Sequence, residues 1–138
     1  MRTLFLLATL GIGVLTSCGL IEGKDTADKA VVVFHEQFNA ESYSDIYLAA
    51  DADFRRATTL ADFTQLFQAV HRKLGTFMSA SQTNSNVFAT TSAPTAVTLV
   101  YTSQFTDGKA TEQFKYSVSG GKAFLLAYNI NSPTLILK

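Results

Sequence analysis

The hydrophobic period of this chain changes once, at Gly75, and that change constrains the fold more than any other feature of the sequence. Before it, apolar residues recur at helical spacing; after it they alternate, as in strands with one buried face. Between Thr26 and Asn39, Ala27, Val31, Phe34 and Phe38 recur at intervals of four, three and four. That is one stripe of an amphipathic helix, with Ala30 beside it. Lys29, Glu36 and Gln37 fall off the stripe, and Asp25 or Thr26 can cap the first turn. Ser42-Tyr43-Ser44-Asp45 reads as a capping box opening a short helix from Tyr43 to about Ala50. Asp51 to Thr58 is less regular, with Phe54 as its buried anchor. Thr59-Leu60-Ala61-Asp62 repeats the capping-box pattern. It opens a helix with Leu60, Phe63, Leu66, Phe67, Val70 and Leu74 on one face. Arg72 and Lys73 suit the negative end of that helix, and Gly75 supplies the left-handed residue that stops it.

Beyond Gly75, Thr76 to Thr91 reads as a strand rich in Ser, Thr and Asn, bulged or broken near residues 84–86. Ala96 to Thr106, Lys109 to Ser119 and Lys122 to Asn131 read as three strands joined at Asp107-Gly108 and Gly120-Gly121. Both dipeptides tolerate the positive φ of two-residue hairpin turns. Such loops fix a register: Tyr101 opposite Phe114, Leu99 opposite Tyr116, Val97 opposite Val118, then Tyr116 opposite Leu125 and Phe114 opposite Ala127. All of these share one face, and a one-residue slip would break the agreement. Thr98, Thr102, Gln104, Thr111, Gln113, Lys115 and Ser117 make the opposite face polar. The last strand adds Phe124, Leu126, Tyr128 and Ile130 to that outer face. The expected architecture is α+β: N-terminal helices packed on one face of a curved, roughly four-stranded antiparallel sheet.

The order of elements resembles the cystatin-like/NTF2-like superfamily, in which a curved sheet wraps a long first helix. The likeness is closest to a group of small bacterial lipoproteins within it. It rests on Phe63–Gly75 with its closing Lys-Leu-Gly, on Val97-Thr98-Leu99-Val100-Tyr101 leading to Phe105, on Thr111-Glu112-Gln113-Phe114 and on Ala127-Tyr128-Asn129-Ile130. NTF2-like domains host enzymes, ligand binders and subunit-interaction modules, so the resemblance does not choose among these functions.

The amino terminus points to a location. Met1-Arg2-Thr3 carries one side-chain charge, and Leu4 to Leu15 follows as an uncharged apolar run. The run is shorter than the ~20 residues that span a bilayer and has the form of an export signal. Leu15-Thr16-Ser17-Cys18 resembles the lipobox of bacterial lipoproteins. The expectation is therefore a cleaved signal over 1–17, diacylglycerol on Cys18, a short tether over 18–24 and an NTF2-like domain over 25–138. Cys18 is the only cysteine, so lipidation accounts for a thiol that would otherwise be stray in an exported protein. Two or three acyl chains make a durable anchor where one does not. Gly19 after the cysteine, rather than an acidic residue, resembles lipoproteins passed to the outer membrane of a two-membrane host, on its periplasmic face. Without residues 1–17 the formal charge is 10 − 11 = −1. With no basic cluster, the chain lacks the phosphate-neutralising charge of a nucleic-acid binder.

Chemistry is sparse. His35 and His71 have no metal-ligand pair at helical spacing, and both read as solvated helix-surface residues; no metal and no cofactor is expected. In the expected register, Ser103 faces Glu112 and Glu112 faces Asn129, a polar row on the otherwise apolar face. These three are the candidate ligand-binding residues, and Glu112 is the candidate acid/base if desolvation within a cavity tunes it. The bland alternative places the row at the open end of the sheet, with Glu112 meeting water or Arg55 or Arg56. Phe124, Leu126, Tyr128 and Ile130, joined by Leu135-Ile136-Leu137, form a candidate interface for a homodimer or an envelope partner unless the tail folds back over them. The sequence thus favours a non-enzymatic, lipid-anchored binding or interaction domain. A small-molecule enzyme using Glu112 and a structural homodimeric envelope component are the alternatives.

Overall fold

The computed structural model describes residues 18–137, and the expected export signal lies outside them. Four helices come first: α1 (Cys18–Asn39), α2 (Tyr43–Ala49), α3 (Ala52–Ala57) and α4 (Leu60–Leu74). They precede β1 (Phe77–Phe88), β2 (Thr95–Phe105), β3 (Gly108–Ser119) and β4 (Lys122–Asn131), and α5 (Pro133–Leu137) closes the chain. The strands form one antiparallel sheet in the order β1-β2-β3-β4, with β1 and β4 at its edges. Helices packed against this curved sheet give the expected α+β fold, consistent with an NTF2-like architecture.

Helix α1 carries the expected stripe, with Ala27, Val31, Phe34 and Phe38 all buried. It starts earlier than its periodicity indicates: residues 18–24, expected as a tether, are its first turns. Gly23 suits the close approach of this first part to β2, since a Cβ there would stand 3.2 Å from the Thr95 side chain. The helix ends in a Schellman motif. Ser42 N–H donates to Gln37 O (2.9 Å) and Glu41 N–H to Phe38 O (3.0 Å), with Glu41 left-handed at φ 55°. That motif holds the backbone of Ser42, and its hydroxyl makes no cap bond to α2. The second capping box forms its N-cap half: Asp62 N–H donates to Thr59 Oγ1 at 3.1 Å, while the Asp62 carboxylate accepts from the Thr59 hydroxyl (2.7 Å) rather than from its backbone N–H. Asp51 caps α3 through Asp53 N–H (2.9 Å), and Phe54 packs edge-on against Phe63. On α4, Phe63, Phe67, Val70 and Leu74 are buried, whereas Leu60 and Leu66, expected on the same face, are exposed.

The sheet departs from the expected register twice. The β2–β3 turn closes on Thr106-Asp107, so Leu99 faces Phe114, Tyr101 faces Glu112 and Ser103 faces Ala110. The cause is tertiary. Thr106 N–H donates to Thr76 O and Asp107 N–H to Leu74 O, each at 2.9 Å, which fastens the hairpin tip to the end of α4. Gly75, at φ 77°, lies so close that a Cβ would fall 1.9 Å from Thr106 Oγ1. Gly108 is not at positive φ. It leaves room instead, since a Cβ there would sit 2.6 Å from Thr134 Oγ1 and 3.3 Å from Leu74. The two-residue shift keeps every side chain on its expected face.

The second departure does not. Tyr116 faces Leu125 as expected, but Lys115 faces Ala127 and Phe114 faces Tyr128, so Leu126 is an extra residue in a β-bulge. Beyond it the strand is reversed in face. Tyr128 and Ile130 turn inward against the core, and Asn129 turns out to solvent. Without the bulge, Ala127 and Asn129 would point inward in their place. Burying a tyrosine ring and an isoleucine instead is worth ~2–4 kcal/mol, against ~1 kcal/mol for a disturbed ladder bond. On the edge side, Leu125 O at the bulge accepts from Asp51 N–H at 2.9 Å.

Tyr128 completes an aromatic core. Its ring lies 4.9 Å from Phe34, 5.1 Å from Phe114 and 5.3 Å from Phe67, and Phe34 meets Phe114 edge-on at 5.0 Å. The expected outer patch is therefore halved to Phe124 and Leu126, both half-buried. The tail folds back, but onto α4 rather than over that patch. Leu135 packs against the core and its carbonyl accepts from Lys73 Nζ at 2.7 Å, while Ile136 and Leu137 stay exposed.

Candidate functional site

Glu112 is fully buried at the centre of the sheet rather than at its open end. Three side chains from three other elements converge on it. Ser103, on β2, donates to Oε2; His35 Nε2, on α1, stands 2.8 Å from the same oxygen; Tyr128, on β4, donates to Oε1 at 2.6 Å. An ionised carboxylate only accepts, so in that state His35 Nε2 is the donor and all three bonds are satisfied. The His35 ring is buried and stacked on Phe77 at 3.6 Å, nearly parallel. Burial pushes the Tyr128 phenol well above the ordinary tyrosine range, reinforced by the Glu112 charge and the bond given to it.

Of the three expected ligand-binding residues, Ser103 and Glu112 are together and Asn129 is not; the bulge puts Tyr128 in its place. Arg55 and Arg56 do not reach Glu112: Arg55 donates to Leu48 O at 2.7 Å and Arg56 pairs with Asp53. His35 is not a solvated surface residue. Four positions after Val31 and three before Phe38, it lies on the buried side of α1, a spacing that could have revealed it. His71 is half-buried, 3.2 Å from the Tyr43 hydroxyl and 3.6 Å from Glu41 Oε1.

The arrangement is unsuited to nucleophilic catalysis. In a hydrolytic triad the imidazole lies between acid and nucleophile; here the carboxylate lies between Ser103 and His35, and the serine proton goes to Glu112. Its partner His35 lines a cleft beside β1 and Ser103 lines another, while Glu112 itself is 1% exposed. Its bonds bind α1, β2, β3 and β4 to one point, and removing one partner from such a buried cluster is costly. Among the described residues no three His, Cys, Asp or Glu side chains group as metal ligands would. No helix there is long and apolar enough to cross a membrane.

A second polar node escaped the sequence reading. Asp28 on α1 accepts from Tyr101 (2.9 Å) and Gln82 (2.8 Å) through Oδ1 and from Lys24 (2.6 Å) through Oδ2. Partial burial opposes its charge, but the bonds from Lys24, Gln82 and Tyr101 outweigh it and hold the carboxyl below the usual range. Nearby, Asn39 pairs like a strand residue with Phe77, donating to its carbonyl (3.0 Å) and accepting from its N–H (2.8 Å).

One open cleft, of about 540 Å³, lies between α1, α2 and the start of β4. Ala30, Val33, Phe34, Ile46, Ala49 and Leu125 give it apolar walls. Phe124, one of the expected interface residues, lies along it as well. Before the bulge β4 contributes to this cleft, and after it the same strand closes over Glu112. No protein-family model matches the chain, and a search of curated proteins finds no match to it.

Proposed function

We propose that this chain is a lipid-anchored cell-envelope protein whose helix–sheet domain binds a small molecule without transforming it. The carrying observation is the contrast between its two candidate sites. Glu112, the expected acid/base residue, is buried and hydrogen-bonded on both oxygens, whereas the cleft between α1, α2 and β4 is open and largely apolar. Attachment through Cys18 is supported by the lipobox-like Leu15-Thr16-Ser17-Cys18 behind a short apolar run. Gly19 favours the periplasmic face of the outer membrane where the host has two membranes.

Two measurements test the reading. Cys18→Ser should abolish incorporation of labelled fatty acid and release the protein from the membrane fraction; continued labelling would refute the anchor. Ala49 is exposed on the cleft wall, so Ala49→Phe should obstruct the cleft without disturbing the core. It should abolish binding of a neutral naphthyl carboxamide; unchanged binding would place the binding site elsewhere.

A further inference from the structure

Tyr116 stands apart from the other buried polar residues. It is 3% exposed, yet its hydroxyl has no hydrogen-bond partner among the described residues, unlike those of Tyr101 and Tyr128. No fully enclosed side-chain oxygen or nitrogen there lacks a partner, so this hydroxyl is not fully enclosed. Tyr116 is among the residues that line the cleft between α1, α2 and β4. Burial holds the phenol far above its ordinary range, so it remains a donor at any physiological pH.

The rest of the lining has a sign. Lys29 and Lys122 are its charged residues, and no carboxylate lines it. Lys29 shares its charge with Asp25 at 2.7 Å, whereas Lys122 makes no ion pair among the described residues. A largely buried donor without a partner, apolar walls and an uncompensated cation together describe a complementary ligand.

We infer that the cleft binds an amphiphilic carboxylate: an apolar body lying along α1 and α2, a carbonyl oxygen within that body accepting from Tyr116, and the anionic end facing Lys122. This rests on the binding reading above and adds the chemical class of the ligand.

Three matched probes separate the contributions: a naphthyl ketone with a short carboxylate tail, its neutral carboxamide, and the ketone-free naphthyl acid. Titration calorimetry on the full chain in lipid nanodiscs, blanked with empty nanodiscs, gives each affinity. Tyr116→Phe should weaken both ketones about fivefold, as for one lost hydrogen bond, and leave the ketone-free acid unchanged. Lys122→Gln should weaken both acids about threefold at low salt, less at high salt, and leave the carboxamide unchanged. Equal effects of Tyr116→Phe on all three probes, or none, would overturn the role of the hydroxyl. Indifference of the acids to Lys122→Gln would overturn the anionic class. If Ala49→Phe still blocked the probes in either case, the cleft would stand as a binding site with its chemistry misassigned. If no probe bound the native chain, or none were blocked, the inference and the binding reading would fall together.

Discussion

Replacing Tyr128 with phenylalanine isolates one hydrogen bond on which the interpretation of the sheet depends. The ring keeps its aromatic contacts and only the hydroxyl is lost. Tyr128 is the single side-chain donor to Glu112 Oε1 among the described residues, since Ser103 and His35 both address Oε2. A bond to a charged group contributes ~1.5–3 kcal/mol, and a buried oxygen left without a donor puts the loss in that range. Taking ~2 kcal/mol, and roughly 4 °C per kcal/mol for a domain of this size, Tm should fall by about 8 °C. Asn129→Ala is the control, because Asn129 is exposed and should change stability by no more than ~0.5 kcal/mol. Urea melts followed by circular dichroism give both free-energy changes, and thermal melts give the Tm shift. In the unbulged register the roles exchange: Asn129 faces Glu112, and Tyr128 lies in solvent. A neutral Tyr128→Phe with a destabilising Asn129→Ala would therefore refute the bulge at Leu126 and the sealed site with it.

Gly75→Ala should destabilise the domain by ~2 kcal/mol or more, since it adds a left-handed alanine and a Cβ 1.9 Å from Thr106 Oγ1; a Tm within a degree of the native value would disprove the stitch between α4 and the hairpin. The phenols of Tyr43, Tyr101, Tyr116 and Tyr128 are all raised above 10.0, by burial first in each case. A folded value above the unfolded one gives stability that is complete below pH 10.0 and lost as pH rises through the folded values. Phenolate absorbance from these four should consequently appear together with the loss of circular dichroism above that pH, and their gradual ionisation in a folded protein would contradict the burial described.

Local rules made the helices and the faces of the strands legible. Ala27, Val31, Phe34 and Phe38 announce α1 because a helix repeats every 3.6 residues whatever it packs against. The β3–β4 turn falls on Gly120-Gly121 as expected, because both glycines adopt the positive φ that a two-residue turn demands. The β2–β3 pairing slipped by two residues because Asp107-Gly108 matches a turn preference, whereas the actual turn is set by bonds to Leu74 and Thr76, thirty or more residues earlier. The start of α1 is hidden likewise: Gly23 lowers helix propensity but suits contact with Thr95.

The site depended on a single residue of phase in β4. An uninterrupted alternation leaves Tyr128 and Ile130 outside on a strand whose inner partners would be Ala127 and Asn129, an inversion of the usual pattern and the visible signal of an extra residue. Once Leu126 takes that place, two consequences follow from one strand. Its first half keeps Ala123 and Leu125 beside Tyr116 in the open cleft, while its second half delivers the Tyr128 hydroxyl to Glu112 and closes the carboxylate off. Glu112 attracts attention in the sequence as the acidic residue on an apolar face. The fold uses it to bind four elements together, while Tyr116, paired with Leu125 beside the bulge, has no hydroxyl bond among the described residues.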